Sequence, residues 1–143
     1  MPALGLIALA TGLVAQVFKM LLLSARTRRL DLSALAATGG MPSSHTAAVT
    51  TLALLVGERS GWASSMFSVA IVFGLYVVFE ATGLRQEVGK QARLLNDLVE
   101  QYRLTHALDR SRLRELTGHT WAEVAGGFLC GVGGWLVGRA LLA

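Results

Sequence analysis

The sequence predicts an all-α fold: an integral membrane bundle of about four transmembrane helices, with one amphipathic helix on the cytoplasmic side. Three observations carry that prediction. Of the 143 residues, 53% are hydrophobic and only 15% charged, against the ~25% charged residues of an ordinary soluble domain. The apolar residues are gathered into long runs, and most basic residues lie between the runs. A soluble chain of this size could not bury so much apolar surface, so residues 1–143 read as a single membrane-embedded domain.

The first run, residues 2–25, exceeds the ~20 residues a helix needs to cross the hydrocarbon layer, and only Gln16 and Lys19 interrupt it. It lacks the basic leading region of a secretory signal, since Lys19, Arg26, Arg28 and Arg29 come at or after its end. It is therefore expected to stay in the mature protein. The second run, 46–57, is too short to cross alone; extended over 42–58, with Pro42 starting it, it becomes the second helix. The third, 61–83, has no charge until Glu80, and the fourth, 121–143, holds Glu123 near its start and Arg139 near its end. Both are long enough to span.

Residues 84–116 are polar, but Val88, Ala92, Leu95, Leu98, Val99 and Tyr102 recur at helical spacing, which predicts an amphipathic helix. Ser111 reads as the cap of a short helix over 112–116 that ends before Gly118. Basic residues concentrate after the first helix and in 84–120, with only Arg59 and Arg139 on the other side. By the positive-inside rule both termini lie outside and both long loops in the cytoplasm, as in a protein of the cell (inner) membrane.

The net charge of +4 does not point to nucleic acid, because the basic residues flank membrane segments and no aromatic or glycine-rich nucleic-acid motif accompanies them. Anionic lipid headgroups account for them better. Cys130, the single cysteine, cannot form an intrachain disulfide and reads as a small packed residue. Gly127 and Gly131, four apart in the last run, read as a packing face, either within the bundle or to another subunit. Four helices are few to wall a site from lipid, which points to a homo-oligomer.

Ionisable residues at membrane depth are costly and are functional hypotheses by default. Here Lys19 and Arg26 close the first helix, His45 opens the second, Glu80 and Arg85 end the third, and His119 with Glu123 open the last. The predicted topology brings all of them to the cytoplasmic side. His119 and Glu123 are four apart and share a helix face, so the carboxylate can hold one imidazole nitrogen and leave the other as base or nucleophile. His45 follows Pro42, Ser43 and Ser44 at a helix start, where unpaired N–H groups, the helix dipole and serine hydroxyls favour an anion. With Lys19, Arg26 and a loop arginine, the set suits a phosphate. No metal or other cofactor is expected, since the histidines and glutamates lack compact ligand spacing and their surroundings are cationic.

Residues 39–45, GGMPSSH, followed by 118–124, GHTWAEV, resemble the divergent branch of the type 2 phosphatidic acid phosphatase superfamily. The likeness runs from Lys19 to about Gly127 and includes the block FEATGLRQEVGKQARLLN between the two motifs. Lys19 and Arg26 keep the K-x6-R spacing, with Thr27 where the superfamily has proline. Pro42 to His45 follow P-S-G-H, with Ser44 for glycine. His119 and Glu123 follow H-x3-D, with glutamate for aspartate and with Ser111 and Arg112 one residue further upstream. The resemblance implies a metal-independent phosphomonoesterase acting on lipid phosphates through a phosphohistidine. His119 would attack phosphorus, Glu123 would orient it, and His45 would protonate the leaving oxygen. Lys19, Arg26, Arg112, Ser43 and the Ser44 amide would hold the phosphoryl oxygens. The departures keep open a second expectation, a non-catalytic membrane module that binds or transports a phosphorylated lipid.

Overall fold

A computed structural model describes residues 2–28, 39–103, 113 and 118–142. Every regular element among them is a helix: α1 (Pro2–Thr27), α2 (Ser44–Ser60), α3 (Ser65–Phe79), a π-helical turn (Glu80–Leu84), α4 (Arg85–Arg103) and α5 (Trp121–Leu142). Of the expected short helix over 112–116 only Leu113 is described, outside any regular element and with its backbone held by the Asn96 side chain; the Ser111 cap and Arg112 lie outside the described residues.

Three helices are long and apolar enough to cross a membrane: Ala3–Thr27, Ser65–Tyr102 and Trp121–Leu142. At ~1.5 Å per residue, the 26 residues of α1 reach about 39 Å, enough for the ~30 Å hydrocarbon layer. The outward faces of these helices carry exposed Leu9, Leu13, Val69, Leu75, Leu129 and Leu141, the surface expected of a protein solvated by lipid. The second span differs from the sequence reading: α3, the π turn and α4 follow one another without a break, and the span Ser65–Tyr102 takes in 38 residues of them. The expected break near residue 83 is a change of hydrogen-bond register within a continuous helical run.

Helix α2 has 17 residues and is not among the three spans. It is the central element, packed by α1, α3 and α5. It opens at Ser44 behind an N-cap at Ser43, not at Pro42 as the sequence suggests. Pro42 follows a cis peptide bond and stays outside the helix. At the far end Gly61, with φ of 92°, takes a conformation that favours glycine and stops α2; Ser64 then caps α3.

Close contact between α2 and α5 requires glycine. A Cβ at Gly127 would lie 2.5 Å from the Ser43 carbonyl oxygen, and one at Gly131 would lie 2.5 Å from Thr50 Cβ. The backbones approach closely enough for Thr51 Oγ1 to donate to the Gly131 carbonyl at 2.9 Å. This settles the alternative left by the sequence, since Gly127 and Gly131 pack inside the bundle. Gly12 of α1 meets Ala48 and the Ser44 carbonyl in the same way. At the end away from the histidines, Glu58 ties α2 to α5 by accepting from Trp135 Nε1 at 2.8 Å and pairing with Arg139 at 3.1 Å.

Candidate active site

His119 lies two residues before α5, in a position built by the π turn. The Arg85 N–H bonds the Glu80 carbonyl, five residues back. In an α-helix that N–H would bond Ala81. The Ala81 carbonyl instead accepts the His119 N–H at 2.8 Å. Gln86 Nε2 donates to the His119 carbonyl at 2.8 Å, so both backbone groups of this residue are held by the same turn. Gly118 is necessary for the approach, because a Cβ there would lie 2.5 Å from Gln86 Cγ and 2.8 Å from the Ala81 oxygen.

The first turn of α5 fixes the imidazole. Thr120 Oγ1 accepts the Glu123 N–H at 3.3 Å, and Glu123 Oε2 accepts the Thr120 N–H at 3.2 Å. This is a reciprocal capping box. The same Oε2 lies 2.9 Å from His119 Nδ1, as the four-residue spacing predicts. The His119 side chain is 2% exposed. Its Nε2 is buried and, among the described residues, has no hydrogen-bond partner. The two histidine rings meet edge to face, with centroids 6.2 Å apart.

The PSSH segment is stitched to that turn. Ser43 N–H donates to the Glu123 carbonyl at 3.0 Å, which brings the start of α2 against the start of α5. Ser43 is fully buried, and its hydroxyl is engaged locally: Oγ accepts the Thr46 N–H at 3.3 Å and contacts Thr46 Oγ1 at 3.0 Å. Its side chain serves the helix cap. Ser44 is the first residue of α2 and is partly exposed, and the first N–H groups of a helix have no intrahelical acceptor.

Lys19 is 5% exposed, and its Nζ donates to the Gly39 carbonyl at 3.0 Å. Gly40, with φ of 98°, folds the chain over the Lys19 stem, where a Cβ would come within 3.0 Å of Cδ. Lys19, Arg26, Gly39, Gly40 and Met41 border a cleft of about 160 Å³. Arg26 is exposed in that cleft.

His45 lies on the surface of the site, at the first turn of α2 and outside the three spans. Enough protein surrounds its imidazole to disfavour the charged form, and the Arg85 guanidinium, His119 and Lys19 push the same way against Glu80. Its pKa is lowered from the ordinary histidine value. Arg85 is held by a 2.9 Å ion pair with Glu80.

The structure thus gathers His45, His119, Glu123, Ser43, Ser44 and Lys19 at one end of the bundle, with Arg26 on the neighbouring cleft. Sequence reasoning missed Gln86, the Ala81 carbonyl and Thr120 as the frame of His119. Only Thr120 had a visible signal, the T-x-x-E pattern ahead of an apolar run.

No solved structure matches the chain. A Bacillus subtilis (strain 168) protein described as the uncharacterized membrane protein YuiD is 39% identical over 135 residues, covering 87% of this chain and 85% of its own. Residues 3–133 match the family described as the Divergent PAP2 family. The matched region spans both histidine segments and the π turn between them, and the chain, an integral membrane protein, belongs to the Divergent PAP2 family.

Proposed function

We propose that the protein is a metal-independent lipid phosphate phosphatase that works through a phosphohistidine on His119. One observation carries this reading: His119 Nε2 is buried, without a partner among the described residues, beside His45, while Nδ1 is held by Glu123. An imidazole fixed in this way has one free nitrogen, which is what a nucleophile needs.

In the first step the Nε2 lone pair bonds phosphorus as the P–O ester bond breaks, and His45 gives its proton to the departing alcohol oxygen. Positive charge on His119 is balanced by Glu123. In the second step water attacks phosphorus, His45 takes its proton, and the P–N bond returns its electron pair to His119. Charge on the phosphoryl oxygens must be stabilised throughout. Lys19, Arg26 and the Ser44 and His45 amides at the start of α2 do that work in this reading, and Ser43 contributes by capping the helix that carries those amides. Arg112 keeps the role expected of it, and Arg85, beside His45, adds a second arginine to the site. The substrate is a diacylglycerol-type or isoprenoid phosphate. In this reading α4 is the amphipathic cytoplasmic helix, and the site serves the cytoplasmic leaflet.

The test is phosphate release from a panel of lipid phosphates by purified protein in EDTA. His119→Ala and His45→Ala are expected to lose turnover while remaining folded, and brief incubation with a 32P-labelled substrate should leave an acid-labile label on His119. Activity that disappears with chelation, or survives in both variants, would overturn the mechanism. Lipid phosphate binding without product would favour a binding or transport module.

A further inference from the structure

Helices α3 and α5 both lie against α2 but hardly touch each other. Between them runs a groove of about 550 Å³, floored by Val49 of α2 and walled by Gly74 and Val78 of α3 and by Ala125 and Phe128 of α5. Its volume is that of an ordinary small-molecule site, ~300–1,000 Å³. Two of the three membrane spans form its sides, so its open face meets hydrocarbon. Its lining includes neighbours of the histidine segments. Thr46, which lines the groove, bonds the Ser43 hydroxyl; Trp121 and Val124, also in the lining, flank the first turn of α5 that holds Glu123.

We propose that this groove holds one hydrocarbon chain of the phosphorylated lipid, with the phosphate at His45 and His119 and the chain lying along α2. The proposal rests on the phosphatase reading for the place of the phosphate. The groove lining is apolar, and next to its residues Thr46 and Trp121 lie the starts of α2 and α5, where Arg85 and Lys19 are near enough to His45 to act on its charge, which is the chemistry of an amphiphile with an anionic head. Lipid tails are as apolar as the groove lining, so moving a chain from bilayer to groove gains little free energy. The groove acts by alignment: it holds the ester so that phosphorus faces Nε2.

Two measurements test this. Gly74→Leu and Ala125→Leu fill the groove from opposite walls. A Cβ at Gly74 meets only ordinary contact with Val49 at 3.7 Å, and Ala125 is exposed. Each variant is expected to lower kcat/KM for a C15 isoprenoid monophosphate in vesicles on the order of tenfold, with p-nitrophenyl phosphate turnover unchanged. Equal loss on both substrates, or no loss on either, overturns the proposal. Independently of turnover, an alkyl monophosphate carrying a diazirine in its chain should label peptides within 70–78 and 121–129, and vanadate should displace it. Label spread evenly over the outer faces, or a cross-link joining two copies of the chain through the groove, also overturns it. Phosphate release without groove labelling would leave the phosphatase reading standing alone; groove labelling without release would leave the chain site standing alone.

Discussion

Glu123 and His119 share one oxygen: Oε2 lies 2.9 Å from His119 Nδ1 and 3.2 Å from the Thr120 N–H that closes the capping box. One carboxylate therefore both starts α5 and sets the tautomer of the imidazole. The two duties can be separated. Glu123→Gln keeps a side chain able to complete the box but removes the charge that balances an imidazolium. It is expected to cost ~10²-fold or more in kcat with little change in thermal stability. Glu123→Ala should lose as much activity and also about 1 kcal/mol of stability with the cap. Phosphate-release kinetics and thermal melts in detergent check both; a Glu123→Gln protein with full kcat would show that Glu123 only caps.

The π turn predicts a role for a residue that never meets substrate. Gln86 holds the His119 carbonyl at 2.8 Å, so Gln86→Ala should let the histidine backbone shift while leaving Lys19 and Arg26 in place. The expected result is a fall in kcat of ~10-fold or more, since small misplacements of a reacting group are costly, with KM within a factor of two. Gln86→Glu should not rescue, because a carboxylate cannot donate to a carbonyl. A rise in KM at constant kcat would instead place Gln86 on the substrate.

These arrangements differ in how much of them the sequence discloses. The long apolar runs disclose α1 and α5 almost to the residue, and the ordered pieces around Lys19, His45 and His119 disclose which helix ends converge. The π turn leaves no such trace. A slip of one hydrogen bond within Glu80–Leu84 changes no hydropathy period, and the switch from apolar to amphipathic pattern there looks like a helix end. Ser43 shows a different limit. A serine before a helix can cap it or face an anion, and only the 3.3 Å contact to the Thr46 N–H shows that the cap engages its hydroxyl. The central place of α2 is likewise hidden, because its buried face is built mostly from the small residues Thr46, Ala47, Thr51, Ala53 and Gly57, with Leu55 as its large apolar side chain.

Gly131 tests that packing. A Cβ there would lie 2.5 Å from Thr50 Cβ and 2.8 Å from the Ala47 carbonyl, so Gly131→Ala should push α5 off α2 at a cost of ~1–3 kcal/mol. Gly133, two residues on, has nothing within 4 Å of its would-be Cβ. Gly133→Ala should be neutral or slightly stabilising, as alanine is the better helix former by ~1 kcal/mol. Denaturant unfolding in detergent, followed by tryptophan fluorescence, compares the pair. Equal stabilities would mean that α2 and α5 are not in the contact described.

The last prediction concerns pH. In the substrate-free protein His45 is expected to titrate below 6.5, first because its surroundings disfavour the imidazolium and next because Arg85 repels it. Glu80 opposes that repulsion, but its 2.9 Å pair with Arg85 limits how much it can do. Arg85→Gln removes a positive charge and frees the Glu80 carboxylate, and both changes favour protonated His45. The pKa must therefore rise, which a histidine-labelled NMR titration in nanodiscs would read directly. A general acid works only in its protonated form, so kcat/KM, which reports the free enzyme, should fall as pH climbs through the His45 pKa. In Arg85→Gln that fall should begin at higher pH, whatever the loss of the cation does to the plateau. A fall that moves to lower pH, or a His45 resonance unmoved by the substitution, would remove Arg85 from the environment of the acid.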